Sequence, residues 1–281
     1  MYRHRHLASM ALLIMLAAAL GFQPGDPARK DAMLRRFTEE FVLLTPGKGH
    51  FPDSFVLGSD GVAPESEKPA VKITFRASFA LARYEVTQEL YEAIMGRTPS
   101  RWKGPRNSVE MVSWEEANDF CGKVTQELRR RKLLGEKEII RLPSEAEWEY
   151  ACRGGALAKE NGPQCSYHFY LDKPTYDLSS YRANFNGNYP FGNASRGPFL
   201  QRPTRVGAYP PNQLGLCDMH GNVRQWCDDL EDEPREGSFR VVRGGSWRSP
   251  GESCRVASRG RQKPSEWSNA LGVRLARVPV R

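Results

Sequence analysis

From Gly154 to Gly245, about ninety residues run without a sustained apolar period of either 3.6 or 2. The stretch is rich in Gly, Pro, Asn and aromatic residues, as in Asn184-Phe-Asn-Gly-Asn-Tyr-Pro-Phe-Gly192. Irregular backbone does not satisfy its own N–H and C=O groups, so so long a loop in a compact domain needs something to pin it. Disulfides could do this, and so could calcium, which accepts mixed backbone and side-chain oxygens. The expected class is therefore α+β, with unusually little regular structure.

Regular elements flank that stretch. Gln88–Met95 reads as a helix capped by Thr87 and stopped at Gly96. A second helix starts at Ser113, with Glu116 completing a capping box, and Ala117, Phe120, Val124 and Leu128 fall on one face. A third has Ser144 as N-cap and Glu147 at its third position, buries Trp148 and Ala151, and ends at Gly154-Gly155. Short strands are expected at Val71–Phe75, Ala80–Glu85, Phe239–Arg243 and Leu271–Val278.

Residues 1–21 read as a secretory signal: Arg3 and Arg5 precede the apolar run Ala8–Leu20, and Ala19 and Gly21 precede a cut before Phe22. The run is shorter than the roughly 20 residues a spanning helix needs, so no stable membrane span is expected. Residues 22–37, polar and carrying Pro24 and Pro27, read as a linker, and 38–281 as one domain. The expected location is exported, periplasmic or extracellular. In such a compartment the six cysteines (Cys121, Cys152, Cys165, Cys217, Cys227, Cys254) form up to three disulfides by default.

The net charge of +8 is not spread evenly. Residues 240–281 hold nine Arg and one Lys against Glu252 and Glu266. These arginines alternate with apolar residues, as in Arg240-Val-Val-Arg243 and Arg274-Leu-Ala-Arg277, which favours partly buried structural cations. Nucleic acid is not the expected partner of an exported chain with this pattern. Only His50, His168 and His220 follow the leader, which excludes a site built mainly from histidine. No phosphate-binding loop, dinucleotide fingerprint, zincin helix or hydrolase nucleophile elbow occurs, and no Cys-x-x-Cys pair.

Six motifs occur in order: Arg83-Tyr-Glu-Val-Thr-Gln88, Val109-Glu-Met-Val-Ser-Trp114, Arg141-Leu-Pro-Ser-Glu-Ala-Glu-Trp-Glu-Tyr150, Gly215-Leu-Cys-Asp-Met-His-Gly-Asn222, Arg243-Gly-Gly-Ser-Trp247 and Leu271-Gly-Val-Arg274. Over residues 40–280 the chain resembles the formylglycine-generating enzyme (sulfatase-modifying factor) family. The resemblance implies a single loop-rich α+β domain related to the C-type lectin fold. It also implies an enzyme that uses oxygen and copper to oxidise the cysteine of a Cys-x-Pro-x-Arg motif in sulfatases, so that the partner would be an exported protein or peptide such as a sulfatase.

The family's site does not carry over whole. Its Gly-Gly-Ser precedes two copper-binding cysteines five positions apart; counted from Ser246, these positions are Ser249 and Cys254. A serine hydroxyl is a hard neutral ligand and does not replace a thiolate on copper(I), so copper is not expected, although Ser246, Ser249 and Cys254 mark the catalytic position. A second alignment makes Cys254 the family's structural cysteine, in a disulfide with Cys152. Where the family has Gly-Asn-x-Trp-Glu-Trp, this chain has Gly221-Asn-Val-Arg-Gln-Trp226, so Arg224 replaces an aromatic wall of the groove, near Trp247 and Arg248. Calcium is implied at Asp218, the Gly221 and Val223 carbonyls and Gln225, and at a second set comprising Asn184 and the Phe185 carbonyl. The reading that follows is a divergent family member whose groove binds a peptide, glycan or other partner, Arg224 and Arg248 favouring an anionic group. The alternative is an active formylglycine-generating oxidase.

Overall fold

The computed structural model describes residues 27–60, 63–155, 167–230 and 238–280. The signal segment, residues 22–26 of the expected linker and Cys165 lie outside the described residues. The rest of that linker is corrected by the first element, helix α1 (Pro27–Glu39). Pro27 opens it, where a missing N–H costs no helical bond. Leu34 and Phe37 are buried in the main apolar cluster beside Leu90 and Phe120. Two anchoring side chains dock an otherwise polar helix, too few to register as periodicity.

Strands β1 (Phe41–Leu44), β2 (Ser54–Leu57), β3 (Val71–Thr74) and β4 (Phe79–Ala82) follow, then α2 (Gln88–Met95), α3 (Trp114–Arg130), β5 (Glu138–Arg141) and α4 (Glu145–Cys152). The helices begin where their caps put them. Thr87 Oγ1 accepts from Leu90 N, and α2 ends on Gly96 at φ 78°, a left-handed position suited to glycine. Both α3 and α4 carry complete capping boxes, Ser113 with Glu116 and Ser144 with Glu147. The predicted face of α3 is fully buried at Ala117, Phe120, Val124 and Leu128.

After α4 come β6 (Phe169–Tyr170), β7 (Pro174–Thr175), β8 (Arg224–Leu230), β9 (Arg240–Arg243), β10 (Arg259–Gln262), β11 (Leu271–Gly272) and β12 (Ala276–Pro279). One sheet has the order β1-β4-β12-β5 and another β10-β9-β8-β11, with small pairs β2-β3 and β6-β7. The irregular stretch is thus largely irregular, but it hides β8. Gln225, Trp226 and Cys227 are all buried, so this strand is covered on both faces and shows no alternation. The strand expected over Leu271–Val278 is split between the two sheets, because the chain turns at Val273–Leu275 to send Arg274 inward.

The C-terminal arginines are structural, as their alternation indicates. Arg243 and Arg274 are fully buried. Arg243 Nη2 pairs with Glu149 and donates to the Val256 carbonyl at 2.7 Å, while Nη1 donates to the Ala257 carbonyl at 2.9 Å. Glu149 also accepts from Arg153 Nε at 2.8 Å and from the Gly58 amide at 3.0 Å. Burial alone would raise the Glu149 carboxyl, but Arg153 and Arg243 reverse this and hold it below the usual range.

The cysteines correct the disulfide expectation. Cys121, Cys152, Cys217, Cys227 and Cys254 are all buried free thiols. They serve as small apolar side chains in separate places, Cys121 in one cluster, Cys152 and Cys227 in a second, Cys254 in a third. The Cys152–Cys254 bond implied by the resemblance is not formed, because His220 lies between them. Its Nε2 accepts from the Tyr170 amide at 2.9 Å and lies 3.6 Å from Cys152 Sγ, and its Nδ1 donates to the Cys254 carbonyl at 2.7 Å.

Two outcomes are expected. Arg243→Met leaves Glu149 buried with one guanidinium fewer and should lower unfolding free energy by about 3–5 kcal/mol in urea titrations; a loss below about 1 kcal/mol would remove the triad from its structural role. Burial also lowers His220 to about 4, so the fold holds it neutral. Above its ordinary value of 6.5 the folded and unfolded chains are both neutral; as pH falls from 6.5 towards about 4, only the unfolded chain gains the proton. Stability should therefore drop over that window by up to about 3 kcal/mol, and His220→Gln should flatten the drop in pH-dependent melts.

Candidate functional site

One side chain gathers the loops. Asn222, at the end of its motif, sits in the left-handed region at φ 63°, which asparagine tolerates. Its Nδ2 donates to Glu85 Oε2 at 2.5 Å and to Ser108 Oγ at 2.8 Å. Its Oδ1 accepts from Asn184 Nδ2 at 3.1 Å and from the Thr204 amide at 2.9 Å. Its carbonyl accepts from the Trp247 amide at 2.7 Å. Strand end, long loop and glycine-rich loop are joined here without a disulfide. Gly221 precedes it because a Cβ there would stand 2.4 Å from the Asn184 carbonyl.

The loop after β9 carries Ser246, Ser249 and Cys254. Ser246 Oγ lies 2.9 Å from Ser249 Oγ, which also accepts from the Ser246 amide at 3.1 Å. Both serines are buried, at 0% and 4% exposure. The Cys254 thiol folds back to the Pro250 carbonyl at 3.7 Å and against Gly245, where a Cβ would meet the sulfur at 2.5 Å. Burial pushes this thiol up to about 12, so it stays protonated. One protonated thiol and two mutually bonded hydroxyls do not make a copper(I) site.

Beside this loop lies an aromatic cluster. Trp247 donates through Nε1 to the Asn269 carbonyl at 2.9 Å, and its ring lies 5.2 Å from Trp102 and 6.2 Å from Phe199, centroid to centroid. The Trp102 turn is held from behind by Glu110, whose Oε1 accepts from the Arg101 and Trp102 amides at 2.5 and 3.2 Å. Arg224 opens β8 with its amide donated to the Ala270 carbonyl at 2.8 Å. Its side chain is partly buried, that of Arg248 exposed. Burial, and then repulsion from Arg248, lower the Arg224 guanidinium below its ordinary value. Trp102 and Phe199 escaped the sequence reading because they lie in irregular segments and belong to none of the six motifs.

The calcium residues fare unequally. Gln225 Oε1 accepts from Trp148 Nε1 and from Arg274 Nε, both at 2.7 Å, and its Nε2 donates to Glu85 and to the Asp218 carbonyl. Asp218 Oδ2 accepts from the Gly207 amide at 2.7 Å, and burial pushes its carboxyl up to about 6. With the amide oxygen already taken, in part by a buried cation, the Asp218, Gly221, Val223 and Gln225 set does not fit calcium. Asn184 differs: its Oδ1 is buried without a hydrogen-bond partner. That orphaned oxygen does fit a cation ligand.

The geometry can be set against known proteins. A family model described as a sulfatase-modifying factor enzyme 1-like domain matches residues 30–279. The chaperone protein LppX of Paenibacillus barcinonensis is 26% identical over 267 residues, covering 83% of this chain and 92% of that one. The formylglycine-generating enzyme of Streptomyces coelicolor is 31% identical over 261 residues, covering 84% of this chain and 74% of the enzyme. Among solved structures, PvdO from Pseudomonas aeruginosa matches with a TM-score of 0.63 at 25% identity, over 84% of this chain and 93% of that one. With the six motifs on these elements and the match running nearly end to end, the chain belongs to the sulfatase-modifying factor, or formylglycine-generating enzyme, family.

Proposed function

We propose that this chain is an exported, divergent member of the family whose groove binds a partner and which does not carry out copper-dependent cysteine oxidation. The observation that carries this reading is that the first of the two thiolate positions holds Ser249, its hydroxyl bonded to Ser246, while the thiol at the second, Cys254, turns back to the Pro250 carbonyl. Deleting a copper ligand removes oxygen activation rather than slowing it, since among the described residues no other soft donor stands in for it. Export is supported by the basic and apolar leader pattern, and among the described residues no helix is long and apolar enough to cross a membrane. The partner class is an exported protein or peptide, and the sulfatase in the family's name makes that the first candidate. Calcium, if bound, is held at Asn184 and Phe185, where it would brace the long loop, and not around Gln225.

A Cys-x-Pro-x-Arg peptide incubated with the protein, copper and oxygen should gain no aldehyde by mass spectrometry, and Ser249→Cys should not restore it, because Cys254 faces Gly245 and Pro250. Aldehyde from the unaltered protein would return the chain to the oxidases. Calcium added to chelator-stripped protein should raise the melting temperature, and Asn184→Ala should abolish that rise; an equal rise in both proteins would move the cation elsewhere.

A further inference from the structure

One carboxylate in this protein serves three cations. Glu127 lies near the end of α3 with its side chain only 9% exposed. Its Oε1 meets Lys30 Nζ at 3.1 Å and Arg131 Nη2 at 2.9 Å, and its Oε2 pairs with Arg130. Arg131 also pairs with Asp31, so these contacts hold the first half of α1 against the end of α3. Arg129 and Lys132 adjoin the same corner, and both are exposed. Arg129 Nη2 donates to the Glu136 and Glu138 carbonyls at 3.0 and 2.7 Å, and Lys132 stands just past the helix at φ 56°. Among the described residues neither of these two has a carboxylate within ion-pair distance. Five cations therefore meet two carboxylates, and the exposed Glu136 and Lys137 beyond them cancel. The dipole of α3 favours cations in its last turn, but it does not call for Lys30 to be brought there from another helix.

The exposure of the corner selects the anion. Arg130 leaves 70% of its side chain in water and Lys30 leaves 30%. A small anion gains little from an exposed guanidinium, because water screens the pair and a long side chain must be ordered. An array of anions gains from every cation it faces. Two observations favour a lipid surface over a soluble polyanion. The cations come from two helices joined at Glu127, and so cover an area instead of following a line. The corner also includes the first turn of α1, and Pro27 follows the apolar run Ala8–Leu20 by seven residues, at most about 25 Å of chain. In the export reading the leader enters a bilayer, and α1 then starts within that reach of the headgroups. None of the exposed large apolar side chains lies on α1 or α3, so the contact is one of charge alone.

We propose that the Glu127 corner docks the folded domain on an anionic phospholipid surface, with Arg129, Arg130 and Lys132 against the headgroups and Lys30 and Arg131 completing the positive field. The contact is peripheral, since no helix among the described residues is long and apolar enough to cross a membrane. It lies on different elements from the serine loop and does not depend on what that loop binds.

The test is co-sedimentation of the full chain with vesicles of phosphatidylcholine alone and of two parts phosphatidylcholine to one part phosphatidylglycerol. The phosphatidylglycerol vesicles should bind about 10-fold more tightly or better, and high salt should release the protein. Arg130→Gln and Lys132→Gln should each weaken that binding by about 5-fold, and together by about 25-fold. Both side chains are exposed and Glu127 keeps Lys30 and Arg131, so the double variant should melt at the temperature of the unaltered chain. Arg196→Gln removes an exposed cation from the irregular stretch and should leave binding unchanged. The leader is common to all these chains, so differences among them report the corner. Equal binding to the two vesicles, an equal loss in Arg196→Gln, or full binding in the double variant would overturn the proposal. Binding to heparin that the double variant loses, with both vesicles left unbound, would also overturn it and give the corner to a soluble polyanion.

Discussion

The buried carboxylate of Glu149 is the point on which much of the architecture rests. It lies on α4 and holds Arg153 on the same helix, Arg243 on β9 and the Gly58 amide after β2. Through Arg243 the contact extends to the carbonyls of Val256 and Ala257. One helix, one central strand and two loops distant in sequence are thus held by a charge that no solvent screens. Such a network stabilises to the extent that its members are paired. Both Nη groups of Arg243 are paired, while its Nε is buried without a hydrogen-bond partner.

The sequence is most legible where structure is local. Thr87, Ser113 and Ser144 cap the helices they predict, because a cap needs only a few consecutive residues to act. It is less legible where tertiary contact decides. Helix α1 forms on Leu34 and Phe37, whose value as anchors depends on Leu90 and Phe120 being opposite. Strand β8 carries no alternation because both its faces are covered, and Arg274 breaks an apparently continuous strand in two. The disulfide expectation failed for a related reason: six cysteines give a count, but only the fold reveals that His220 stands between Cys152 and Cys254.

The site follows the same division. Ser249 and Arg224 were readable as departures because the motifs around them fix the register. Trp102 and Phe199 were not, since an aromatic residue in an irregular segment gives no sign of what it faces. Gln225 illustrates a third case. Its position was known, but whether its oxygen remained available depended on Trp148 and Arg274. Cation sites are lost through such competition as readily as through loss of charge.

Strand β12 has a consequence for how the molecule comes into being. It follows β4 and β5 by a long stretch of chain, yet it lies between them and supplies the bonds that join them. A chain emerging amino end first therefore carries two halves of a sheet with nothing between them until β12 is free to pair. Closure of that sheet is a long-range event that waits for β12, so the sheet does not grow along with the chain.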